Sequence, residues 1–157
     1  PVTVKMDPRV KTAPVSMQQN FQTVTRLARL MTSSTEAIRE ARSVVQQAEE
    51  LKSPLTVDVV KKARDLITEL TRVNGQVSGL YEQVSSADTA PTAAQMSATG
   101  ETAVALGPVR ARWESVAGKD VPALNEKLKA AGLKEIEVEK DDKNGDTDTA
   151  DDEDDVG

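Results

Sequence analysis

Apolar residues step through the first third of the chain in alternating intervals of four and three. Met17, Phe21, Val24, Ala28, Met31, Ile38 and Val45 share one seam, interrupted by Thr35 and Arg42. That period lays one face of a helix along a neighbour. The seam keeps phase until Lys52-Ser53-Pro54 and crosses Thr32-Ser33-Ser34-Thr35-Glu36 without a Gly or Pro. It therefore predicts one long helix rather than two joined at an internal capping box. The helix should start near Thr12 to Pro14, with Pro14 in its first turn, and run for about 38 residues, ~57 Å. Arg42 reads as a side chain stretched along the bundle edge with its charge in water.

A turn at Ser53-Pro54 leads to a second helix, with Thr56 as N-cap and Asp58 at the positive end of the helix dipole. Its seam, Val60, Ala63, Ile67, Leu70, Asn74, Val77, Tyr81 and Val84, is flanked by a second row at Val59, Leu66, Val73 and Leu80. Two apolar faces need two neighbours, which favours a bundle over a lone helical hairpin. Gly75 and Gly79, four apart, read either as a place where another backbone comes close or as simple weak points in the helix. After Ala87 to Pro91, Thr92-Ala93-Ala94-Gln95 has the form of a capping box for a third helix. Its seam is Met96, Thr99, Ala103, Leu106, Arg110, Trp113 and Ala117, with a kink or break expected at Gly107-Pro108. A short terminal helix is expected to begin at Asp120 as N-cap with Pro122 in its first turn, and to end at Ala130-Ala131-Gly132-Leu133.

The ends of the chain differ from this pattern. Val2-Thr3-Val4-Lys5-Met6 alternates like a half-buried strand, but no partner strand follows within hairpin distance. Residues 1–11 are thus expected to be the terminal strand and linker of a preceding β domain, and residues 12–133 the helical bundle. Glu135-Ile136-Glu137-Val138-Glu139 also alternates, so residues 134–139 are a candidate short strand, one that would return the chain to pair with residues 2–6. Residues 140–157 carry nine acids against Lys140 and Lys143, a charge of −7, which leaves +1 on residues 1–139 of a chain whose net charge is −6. That tail is expected to be disordered.

Composition narrows the chemistry. The chain has no Cys and no His, which removes thiolate nucleophiles, Cys-based zinc sites and the usual general base at neutral pH. No catalytic pair stands out among the many surface carboxylates, no cofactor is expected, and the chain is read as non-enzymatic. A near-neutral body without clustered Lys and Arg gives no footprint for nucleic acid, and no apolar stretch is long enough to span a bilayer. Asp142, Asn144 and Asp146 around Gly145 resemble the start of a calcium loop, but the glycine is one position out, so weak, nonspecific cation association is the better reading. Trp113, Phe21 and Tyr81 are the only aromatic residues. They are candidate structural or interaction anchors; for Trp113 the alternative is carbohydrate stacking or partner binding.

Two stretches carry a family resemblance: Val2-Thr3-Val4-Lys5-Met6-Asp7-Pro8-Arg9-Val10, and Ala111-Arg112-Trp113 with Asp120-Val121-Pro122-Ala123-Leu124-Asn125 and Ala130-Ala131-Gly132-Leu133. Together they resemble the C-terminal region of bacterial sortilin-like proteins with neuraminidase-type (BNR) repeats, a family labelled glycosyl hydrolases. The resemblance implies an exported parent, secreted or periplasmic, with a β-propeller, then an immunoglobulin-like β domain, then a terminal helical bundle. It places any activity in the propeller and transfers no catalytic residue to this chain. The expected fold is all-α, an antiparallel three- to four-helix bundle with a short N-terminal strand remnant and a disordered acidic C-terminal tail. The expected role is a non-catalytic structural or interaction module whose partners are the preceding β domains of the same polypeptide. A self-associating or adaptor module that binds a partner helix is the alternative, and a carbohydrate-binding module a weaker one.

Overall fold

A computed structural model describes residues 13–87 and 89–139. The expected strand at residues 2–6, the calcium-like stretch and the acidic tail lie outside them. Four α-helices account for most of the rest: α1 (Pro14–Glu50), α2 (Val57–Ser85), α3 (Ala93–Ser115) and α4 (Val121–Ala130). A 3₁₀ turn at Pro54–Thr56 precedes α2, and a π-helical turn at Val116–Asp120 joins α3 to α4 without a break. There is no strand among the described residues. The chain is an all-α helical bundle.

Cross-helix bonds give the topology. Near the middle of α1, Ser34 bonds to Asn74 of α2, whereas Asn20 near its start reaches the carbonyls of Val84 and Ala87 at the end of α2. These two helices are therefore antiparallel. Arg112 pairs with Glu69, and Lys62 with Asp120, so α3 and its continuation run antiparallel to α2. Trp113 of α3 bonds to Glu40 and closes the third side of the bundle. The shorter α4 packs over the Pro54–Thr56 turn at one end.

In α2 both rows read from the sequence are used. Val59, Ala63, Leu66, Leu70, Val73, Val77 and Val84 are buried, while Val60, Ile67, Leu80 and Tyr81 pack against their flanks. In α1 the core stripe is shifted from the expected seam. Ile38 and Val45 are buried as expected, but the other row is Leu27, Ser34, Ala41 and Ala48, and Phe21, Thr35 and Arg42 face out. Ser34, Ala41 and Ala48 suit those positions because small residues let the helix axes approach closely, whereas size alone marked the seam in the sequence.

The local signals fare unevenly. α1 is a single helix of 37 residues with Pro14 in its first turn. The α3 capping box is formed: Gln95 N–H donates to Thr92 Oγ1 at 3.2 Å, and Thr92 N–H to Gln95 Oε1 at 2.9 Å. Thr56 stands just before α2 but makes no side-chain cap: its backbone is already helical, at φ −86° and ψ −13°, whereas a capping residue is extended, and its hydroxyl donates to the Ser53 carbonyl at 2.8 Å. Gly75 and Gly79 are not close-approach sites, since a Cβ at either would meet nothing within 4 Å. α3 does not break at Gly107-Pro108. Both residues lie on the exposed face, where water can reach the Val104 carbonyl that Pro108 leaves without a partner.

Asp120 is likewise no N-cap. Its backbone is helical, it makes no side-chain cap, and its carboxylate pairs with Lys62. The buried positions explain the π turn. Thr99, Thr102, Leu106, Val109, Trp113 and Val116 step by three and four, then the next buried residue, Val121, comes five later, followed by Leu124 and Leu128. One extra residue must be absorbed for the apolar face to stay inward. The π turn absorbs it, with Val121 N–H donating to the Val116 carbonyl, and it falls where Pro122 has no N–H to continue an α ladder.

Candidate functional site

Trp113 is the largest fully buried side chain, 1% exposed, and its Nε1–H donates to Glu40 Oε2 at 2.7 Å. The indole is thus a satisfied interhelix anchor. No face of it is open to a sugar ring, which overturns the carbohydrate-stacking alternative for this residue. Tyr81 is half-buried against the core, in line with an anchoring role. Phe21 is the opposite case, 70% exposed.

Phe21 belongs to an end of the bundle where α1 outruns its neighbours. Asn20 Nδ2 lies within 3.1 Å of the carbonyls of Val84, Ala87 and Thr89, so the α2–α3 connection crosses α1 at that level. The six residues before Asn20, about 9 Å of helix, project past it. Met17 and Phe21, one turn apart, carry the heptad spacing out of the core and into solvent, with Val15 also exposed. Met96 in the first turn of α3 adds another exposed apolar residue at the same end. An unpaired apolar helix end can bury against another surface.

The polar surfaces hold no comparable arrangement. Between α2 and α3 a shallow groove is lined by Lys62, Asp65, Glu69, Arg112 and Asp120. Lys62 to Asp120 and Arg112 to Glu69 bridge it, so charges of opposite sign are matched across it. Among the described residues no group of three or more Asp and Glu is placed to hold a metal ion, and no helix is long and apolar enough to cross a membrane.

A second arrangement was not legible in the sequence. Beyond α4, Gly132 takes φ +71°, with Leu133 N–H bonded to the Leu128 carbonyl at 2.8 Å and Gly132 N–H to that of Lys129 at 3.1 Å. This Schellman turn reverses the chain onto the bundle. Residues 134–139, the candidate strand, form none among the described residues; they are held by two side-chain amides. Asn125 Oδ1 accepts from Ile136 N–H and its Nδ2 donates to the Ile136 carbonyl, both at 2.8 Å. Gln47 treats Glu137 in the same way, at 2.9 and 2.8 Å. Ile136 is buried, Leu133 and Val138 pack partly against the core, and Glu135, Glu137 and Glu139 point outward. The segment does not return the chain to the start of α1, since Gln47 lies about 50 Å along that helix from Pro14. Amides on helix surfaces are too common for their spacing to have marked this clamp; the alternating Glu135 to Glu139 was its one visible sign. No family model matches the chain, and neither a curated protein nor a solved structure shows significant similarity to it.

Proposed function

We propose that this chain is a non-catalytic helical module that docks, through the overhanging end of α1, onto the β domains that precede it in an exported multidomain protein of the sortilin-like, BNR-repeat type. The observation that carries this reading is the exposure of Met17, on the turns of α1 that project beyond the α2–α3 connection, and of Phe21, one turn on at the level of that connection. An apolar helix end next to the start of the bundle suits contact with whatever leads into it. The family resemblance supplies the identity of that contact, a β domain, and the secreted or periplasmic setting. Catalysis, on this reading, belongs to the propeller.

The test joins the chain to its encoded upstream segment and introduces Phe21→Asp. Docking predicts faster proteolysis within residues 7–13, with the melting temperature of the bundle unchanged. Equal cleavage of the two proteins overturns docking at this end. Parentage is checked separately: propeller repeats encoded upstream of Pro1 support it, and their absence overturns it. Glycoside hydrolysis by the purified chain alone would overturn the non-catalytic assignment.

The same apolar end supports a second reading, self-association or binding of a partner helix along the Met17–Phe21 face. Sedimentation separates it from the first. Mass that rises with concentration and returns to monomer in Phe21→Asp favours self-association; a monomer at all concentrations excludes it.

A further inference from the structure

The clamp formed by Gln47 and Asn125 has the geometry of a peptide-binding site. In an extended chain, the N–H and C=O of one residue point to the same edge and those of the next residue to the opposite edge. Asn125 takes both groups of Ile136 from the α4 side, and Gln47 takes both groups of Glu137 from the α1 side. Each amide thus occupies the position that a neighbouring strand would fill in a sheet. Such bonds read the backbone and not the side chains. Sequence enters through the side chain that points inward, Ile136, 2% exposed, with Val138 two residues on partly buried beside the same core. Glu135, Glu137 and Glu139 are exposed and leave that face open to water.

We propose that the groove between α1 and α4 is a receptor for an extended polypeptide with an aliphatic residue at its centre, filled in cis by residues 133–139 and able to take the same segment from a second copy of this chain. Attachment of the cis segment is light. Apart from Ile136 its side chains are exposed or half-buried, and beyond the Leu133 N–H bond to the Leu128 carbonyl in the turn its bonds to the bundle come from two side-chain amides that water can satisfy once the segment leaves. Gly132, already in the left-handed region, is the point about which it would swing. Segments with so little buried surface open well before the global fold does. This inference is independent of the proposed docking of α1, which uses the opposite end of the bundle.

Amide hydrogen exchange on the unaltered chain is the first test. Ile136 and Glu137 amides should be protected, yet exchange faster than those of Val44 and Val45 in the core of α1, and Asn125→Ala or Gln47→Ala should lower their protection about five- to tenfold. Absence of protection, or exchange only on global unfolding, overturns the proposal. The second test uses the full chain with Ile136→Asp, which expels the cis segment, titrated with a labelled synthetic peptide of residues 133–139. It should bind, whereas the same peptide N-methylated at Ile136 and Glu137 should not. A helical Ile136→Asp chain that ignores the peptide, or binds both peptides equally, overturns the proposal. If that variant loses its helicity, the unaltered chain decides: excess peptide must speed exchange at its own Glu137 amide, and unchanged exchange overturns the proposal.

Discussion

Ser34 on α1 and Asn74 on α2 meet at the centre of the bundle, the serine hydroxyl 2.7 Å from Asn74 Oδ1 and also 3.0 Å from the Met31 carbonyl. Ser34 is fully buried, so this is a polar contact inside a mainly apolar interface. Removing one partner strands the other. Ser34→Ala should cost about 1 kcal/mol, read from urea denaturation followed by circular dichroism, while Ser34→Ala combined with Asn74→Leu should recover most of that loss. Equal losses in the single and double variants would show that the hydroxyl is held by the Met31 carbonyl and not by Asn74.

Truncating Trp113 should be the most damaging single change in α3. Trp113→Ala removes a buried ring and leaves Glu40 without its donor, and a loss of about 3 to 5 kcal/mol is expected. Trp113→Phe keeps much of the packing and should cost less, through the lost indole bond. Before mutation, acrylamide should quench the indole fluorescence poorly, as a ring 1% exposed requires.

The glycines divide by conformation. Gly75 and Gly79 have open space where a Cβ would stand, so Gly75→Ala and Gly79→Ala should each stabilise α2 by about 0.5 to 1 kcal/mol. Gly132 also has open space, but its φ of +71° is costly for a side chain, and Gly132→Ala should destabilise by about 1 kcal/mol. Thermal melts of the three variants check both signs. Lys52, the other residue with positive φ among the described residues, at 48°, should behave in the reverse sense, with Lys52→Gly neutral or stabilising.

If the π turn exists to absorb one residue, that residue is dispensable. Deleting Gly118, together with Pro122→Ala to restore the missing N–H, should convert Val116–Asp120 to ordinary α-helix and keep Val116 and Val121 facing inward. Deleting Gly107 instead shifts Leu106 and Val109 out of phase and should unfold the bundle or cost more than about 3 kcal/mol. Comparable melting temperatures for the two deletions would refute the phase explanation.

The helices themselves were legible because their signals are local and repetitive. The α1 seam ran without Gly or Pro, the Thr92 to Gln95 box closes on itself, and Gly132 could be placed from the residues around it. What was not legible depends on partners distant in sequence. Ser34, Ala41 and Ala48 look like surface residues until α2 arrives, and Asp120 looked like a cap until Lys62 claimed its carboxylate. Pro108 looked disruptive because nothing in the sequence says that its ring faces water. The overhang followed neither from periodicity nor from composition, since the seam through Met17 and Phe21 is the same inside the bundle and beyond it. The amide clamp needed Gln47 and Asn125, on helices far apart in the chain, to converge on one stretch of backbone.

Because Gln47 and Asn125 hold residues 136 and 137 against the far end of α1, the last described residues lie at the pole opposite the one where α1 begins, some 50 Å away. A pull applied at Ala13 and Glu139 would run along α1 and through the two amide side chains, so the clamp, ahead of the hydrophobic core, would be the first element to yield under tension.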